Sequence, residues 1–164
     1  MSQPAPDRTL PADDAARLLA RTMLERSGHA SLAFIDAETG TPGISRIALG
    51  LAPDGQPMTL VSALAPHDAG LRRAPDCALM VGDVGPKGDP LSHPRLMIRA
   101  RAIFVAPDDP ARLALRAHWL KQHPKSTLYI DFADFSLVRL APVSALLNAG
   151  FGRAYRLGAA DLGA

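Results

Sequence analysis

Five histidines, one cysteine and a set of arginines carry most of the chemistry this sequence can offer, and their spacing narrows it. His29, His67, His93, His118 and His123 are scattered, and the last two stand five positions apart, where a helical zinc pair needs four. No metal site is expected. Cys77 opens the apolar run CALMV, the setting of a small core thiol rather than of a nucleophile. No G-x-S-x-G, G-x-G-x-x-G or Walker sequence occurs, so nucleophilic hydrolysis and P-loop chemistry have no motif behind them. The residue types assign no catalytic group.

Anion binding is better represented. The segment SALAPHDAGLRR, Ser62 to Arg73, follows an apolar run and opens a short helix. A strand end feeding a helix start presents free backbone N–H groups, and Ser62, His67, Arg72 and Arg73 add side-chain donors, a set that could hold a phosphate. The competing reading is an ordinary capped helix with solvated arginines. A second cluster, GPKGDPLSHPRLMIRARA from Gly85 to Ala102, holds Lys87, Asp89, His93 and Arg95 in a Pro- and Gly-rich loop. That loop either lines a pocket or joins two strands by turn chemistry.

The elements that must position these residues follow from periodicity. A helix is predicted from Leu10 to Arg26, capped by Thr9 and ended by Gly28. Between Ala30 and Ala106, SLAFID, ISRIALGLA, MTLVSAL, CALMVGD and RLMIRARAIFVA read as five strands. In the last of these, Met97, Arg99 and Arg101 alternate with Ile98, Ala100 and Ala102, so one face is polar or lines a groove. Helices are predicted around His67 to Ala74 and from Asp108 to Gln122, the second with an apolar stripe of Leu113, Ala117, Trp119 and Leu120. Two further strands fall at Phe135 to Leu140 and Ser144 to Ala149. Turn signals between strands imply antiparallel pairing.

The 164 residues fit one domain, with a flexible segment over 1–9 and a single domain over 10–164. With 48% hydrophobic and 21% charged residues, the chain is neither disordered nor membrane-spanning by composition. A formal charge of +2 gives nucleic acid or a membrane surface no purchase, and neither is expected as a partner. One cysteine, and a start without a basic segment followed by an apolar run, lead to the expectation of a cytoplasmic protein. About seven short strands with three helices suggest an α+β chain, mainly β, built as a small antiparallel barrel.

The loop GDPLSHPRLMIRARA, the stretch HWLKQHPKSTLYIDFADFSLVRL and the tail LLNAGFGRAYRLGAADL occur in that order. Together they resemble the pyridoxamine 5'-phosphate oxidase-like FMN-binding split-barrel family, in its haem-utilisation-related branch. The resemblance implies an antiparallel six- or seven-stranded split β-barrel with flanking helices. It also implies a homodimer that binds FMN at its interface and carries out a two-electron redox reaction on a small organic substrate. By the same resemblance, Ser45, Arg46 and Ile47 would lie along the flavin, while Ser62, His67, Leu71 and Arg72 would sit near the phosphate. His93, Arg99 and Arg101 would line the substrate or second-subunit groove.

Where many relatives read S-R-L-A-x-H-T-x-N-L, this chain has Ala63 for the arginine, Asp68 for the threonine and Gly70 for the asparagine. A carboxylate gained and a guanidinium lost beside a dianion weaken FMN binding. The alternatives are a haem-binding or haem-degrading protein of the haem-utilisation type, and a non-catalytic binding module that has lost FMN. The tail after Phe151 contains no histidine to serve as an axial haem ligand, which leaves His93 or His118 as candidates.

Overall fold

The computed structural model describes residues 9–163, so most of the expected flexible segment lies outside the described residues. Thr9 does not cap the first helix. Asp13 does, its carboxylate accepting from the Ala16 N–H at 2.7 Å, and α1 runs Asp14–Arg26. Ala16, Ala20 and Leu24 bury one stripe at four-residue spacing. The residues before the cap form β1 (Leu10–Pro11), which lies parallel to the late strand β9 (Ala154–Gly158). Pro11 has no N–H to give to a helix, and at a sheet edge it needs none.

Among the described residues the sheet has nine strands where six or seven were expected. The others are β2 (His29–Ile35), β3 (Pro42–Ala48), β4 (Gly50–Leu51), β5 (Pro57–Ser62), β6 (Asp76–Val81), β7 (Arg95–Phe104) and β8 (Phe135–Asn148). Their order is β1-β9-β8-β7-β6-β2-β3, with β5 on β8 and β4 on β5. Every pair but β1–β9 is antiparallel. The sheet is not closed. No ladder joins β3 to β5, and the buried Thr59 hydroxyl of β5 donates instead to the Ala48 carbonyl at 2.7 Å.

The two strands expected around Pro142 are one. Pro142 reads as a break because it cannot donate to a ladder, yet the chain absorbs it at a shift of register: Ser144 faces Arg99, Pro142 faces Ala100, and Val143 is the extra residue. Helix α2 spans Pro66–Arg73, and α3 spans Arg112–Gln122, starting four residues later than predicted and ending where expected. Asp109 turns the chain first, its carboxylate accepting from the Ala111 N–H at 2.8 Å. The buried stripe of α3 is Leu115 and Trp119, and Leu113 is 79% exposed. No described helix is long and apolar enough to cross a membrane.

The main core lies between α1, α2 and the inner sheet face, and a smaller one gathers around Trp119, Met58 and Ile130. Trp119 donates its indole N–H to Ser126 Oγ at 3.0 Å, and His123 stacks on it while contacting the Leu49 carbonyl. Helix α2 is pressed onto β2 through Gly70. A Cβ there would come within 2.6 Å of both the Ile35 carbonyl oxygen and the Phe34 ring. Overpacking of that kind costs about 1–3 kcal/mol, more than the ~1 kcal/mol that alanine gains over glycine in a helix. We therefore expect Gly70→Ala to lower the urea unfolding midpoint with little change in slope; a variant as stable as its parent would refute this contact.

Candidate functional site

Two places in the fold carry the residues singled out from the sequence. The first is the β5–α2 loop. Ser62 ends β5 opposite Phe135, the first residue of β8, so the loop faces the residues just before and within that strand. Its hydroxyl donates to Asp134 Oδ2 at 2.7 Å and accepts from the Leu64 N–H at 3.2 Å, while the Ala63 N–H bonds to the Asp134 carbonyl. Pro66 opens α2. Asp68, in the first turn and only 4% exposed, receives the Arg72 guanidinium as a fork, at 2.8 Å from Nε to Oδ2 and 3.3 Å from Nη2 to Oδ1. Arg72 also donates to Ser136 Oγ and lies 3.9 Å above the Phe104 ring. Arg73 turns away, donating to the Ala37 carbonyl.

His67 completes this loop without adding charge. Its ring packs edge-on against Phe34, its Nδ1 is buried with no partner, and burial lowers its pKa, against which the neighbouring Asp68 acts weakly. Leu71 is buried in the main core. A dianionic phosphate does not fit this loop as folded. The Ser62 hydroxyl and the Arg72 guanidinium are both committed to the chain's own carboxylates, Asp134 and Asp68. On β3, Ser45 and the buried Ile47 share the face of Leu32, while Arg46 points to the opposite, outer face.

That outer face is the second place. Strand register carries one row of residues from Ile44 through Ala33, Ala78, Arg99 and Ser144 to Gly158, and the next from Arg46 through Ser31, Met80, Met97 and Leu146 to Arg156. The alternation in β7 is thus realised as an outer side of Met97, Arg99, Arg101 and Ile103. A cavity of about 370 Å³ is lined by Thr9, Met97, Arg99, Ser144, Leu146, Arg156 and neighbouring backbone. A groove of about 480 Å³, lined by Asp76, Cys77, Ala78, Ala100 and Val143, meets it at Arg99. Arg101 is paired with Asp76 at 3.0 Å, and Arg156 donates to Thr9 at 2.8 Å. Arg99 has no hydrogen-bond or ion-pair partner among the described residues.

His93 lines neither cavity. It accepts from the Gly85 N–H at Nδ1, which leaves the Nε2 proton for the Lys87 carbonyl at 3.0 Å, so the imidazole staples its own loop. Sequence reasoning missed Asp134, Ser136 and Arg156. The first two flank the start of β8, and only pairing with β5 brings them to the loop; Arg156 lies on β9, which carried no strand signal.

No family model matches the sequence, and no curated protein does. Solved structures do. One is 44% identical with a TM-score of 0.81, over 93% of this chain and 98% of its own. A haem-binding protein from Mycobacterium smegmatis is 26% identical with a TM-score of 0.81, over 93% of this chain and 61% of its own. The protein Atu2129 from Agrobacterium tumefaciens, of unknown function, is 31% identical with a TM-score of 0.79, over 96% and 65%. The chain therefore spans under two thirds of those two named relatives. At lower identity the fold is shared with the haem storage protein HutZ of Vibrio cholerae (22%, TM-score 0.66, over 79% and 89%). It is also shared with a pyridoxamine 5'-phosphate oxidase-type protein from Listeria innocua (16%, TM-score 0.61, over 80% and 96%).

Cys77 provides a test of the groove's lining. Burial, with help from the Asp76 carboxylate, raises its thiol from an ordinary 9.0 to about 11. At pH 8 the thiolate fraction is then about a hundredfold below that of an unhindered cysteine. Labelling with a thiol-specific disulfide reagent should be slower in the native protein than in urea by at least that factor, and equal rates would contradict the burial.

Proposed function

Because the chain belongs to the pyridoxamine 5'-phosphate oxidase-like family, in its haem-utilisation-related branch, we propose that it is a haem-binding protein that works as a homodimer. The observation that carries this reading is the outer-face cavity, in which an unpaired guanidinium, Arg99, stands with Met97, Leu146 and Val143 in a mixed polar and apolar lining. A flat apolar ligand edged by carboxylates suits that donor set. Met97, Leu146 and Val143 would meet its faces, and Arg99 and Arg156 its acid groups. Haem, when bound, brings the reactivity of its iron; the chain's own residues bind and orient it.

Binding, rather than degradation, is what the lining favours. Among the described residues no imidazole reaches either cavity, and the soft donors there are the Met97 thioether and a Cys77 thiol kept protonated by burial. The FMN reading has less behind it, since the loop that would take the phosphate is neutralised from within. Dimerisation rests on the outer face as well. Ile44 is 78% exposed, and Met80, Ile103 and Val143 on other strands of the sheet are exposed as well, apolar side chains that a partner could cover. A two-fold pairing would cover it and roof the cavity.

Titration of the purified protein with hemin should develop a shifted Soret band that saturates at a fixed stoichiometry. Arg99→Ala should weaken binding by about tenfold, the value of one charge-assisted contact. Arg153→Ala, in the exposed turn before β9, should leave it unchanged. Sedimentation should show a dimer. A protein that shifts no Soret band, or an Arg99→Ala variant that binds hemin as well as its parent, would sink the reading.

A further inference from the structure

The β5–α2 loop has the parts of an anion site: a strand end leading into a helix whose first turn attracts negative charge, and an arginine held in a fixed pose. That pose is over-determined. The guanidinium is backed by the Phe104 ring at 3.9 Å, tied to Ser136 Oγ at 3.2 Å, and forked onto Asp68. Asp68 is only 4% exposed, although it carries a charge and lies one helical turn from a half-exposed arginine. A surface i, i+4 pair would leave both partners in water; here the carboxylate is inside and takes the fork that an external anion would take.

From this geometry we infer that the loop is an anion site filled by the chain's own carboxylate, with Asp68 standing on Arg72 in the place of a ligand phosphate and closing the loop to phosphorylated flavins. The inference stands apart from the haem reading, which concerns the outer face. The rest of the loop agrees with it. Ser62 spends its hydroxyl proton on Asp134, so a second carboxylate borders the same space. The close approach at Gly70 seats α2 against Phe34 and the Ile35 carbonyl, with Asp68 buried in its first turn. His67 sits in the first turn with its Nδ1 buried and unpartnered, and offers no balancing cation.

The test compares FMN with riboflavin, which differ by the phosphate alone, through quenching of flavin fluorescence by the full chain. The native protein should bind FMN no more tightly than riboflavin. Asp68→Asn keeps the side chain's size, removes its charge and frees the guanidinium. It should favour FMN over riboflavin by about tenfold or more, and adding Arg72→Ala should abolish that preference. Asp68→Thr reads the same ratio if the asparagine variant does not fold. The inference is overturned if the native protein already prefers FMN tenfold, or if a folded Asp68 variant shows no preference. Hemin binding in the same variants should not change, which separates a failure here from a failure of the haem reading.

Discussion

Strand β8 keeps hydrogen-bond ladders with three others: β5 over Phe135 to Arg139, β7 from Val138 to Asn148, and β9 over Ser144 to Asn148. It can change partners midway because the extra residue at Val143 bends it where Pro142 has no N–H to give. Both candidate places hang from this one strand. Ser136 near its start, with Asp134 just before it, shapes the β5–α2 loop. Ser144 and Leu146 near its end form a wall of the outer cavity. Straightening the bend would shift the register of one half and turn its side chains to the opposite face.

Charge is distributed unevenly between these two places, and the distribution matters more than the net value of +2. In the loop every nearby arginine is spent: Arg72 on Asp68 and Ser136, Arg73 on the Ala37 carbonyl. On the outer face Arg101 is paired with Asp76, while Arg99 stands free next to apolar side chains. A guanidinium with no carboxylate of its own chain to cancel it keeps its charge for an external anion. Sequence counting assigns all these arginines the same weight, and it is their partners that rank them.

The C-terminal segment is held in place by a separate device that protects the outer face. Arg17 of α1 donates to Asp161 Oδ1 at 2.6 Å, Arg21 donates to the Asp161 carbonyl, and the other carboxylate oxygen accepts from the Gly158 N–H. The Arg17 guanidinium and the Gly158 N–H together hold the Asp161 carboxyl below its ordinary range. These contacts anchor the end of β9, whose Arg156 and Gly158 border the cavity. The turn before β9 is left open, with Phe151 98% exposed between two glycines at positive φ.

What could be read from the sequence was whatever depends on neighbours along the chain. Alternation in β7 comes from a two-residue period, so Arg99 and Arg101 could be put on one face opposite Ile98 and Ala100 without knowing the strand's partners. The three ordered motifs led to the family, and Asp68 in the altered loop was visible as a carboxylate in a segment that reads as an anion site. Capping and breaks were less legible, because several residues could serve. Asp13 outcompeted Thr9, and Pro142 ended nothing since a bulge took it up.

Only the tertiary structure decided the partners. The parallel pairing of Leu10–Pro11 with β9 and the meeting of Ser62 with Asp134 across 72 positions join residues distant in sequence, and Arg99 is left without a partner by the same folding. Their energies depend on separations in space that no local period encodes. Composition and pattern therefore determined which residues could carry charge or enter the core. The fold determined which charges are cancelled and which remain to bind something else, because a charge is worth what its nearest neighbours and the surrounding dielectric make it.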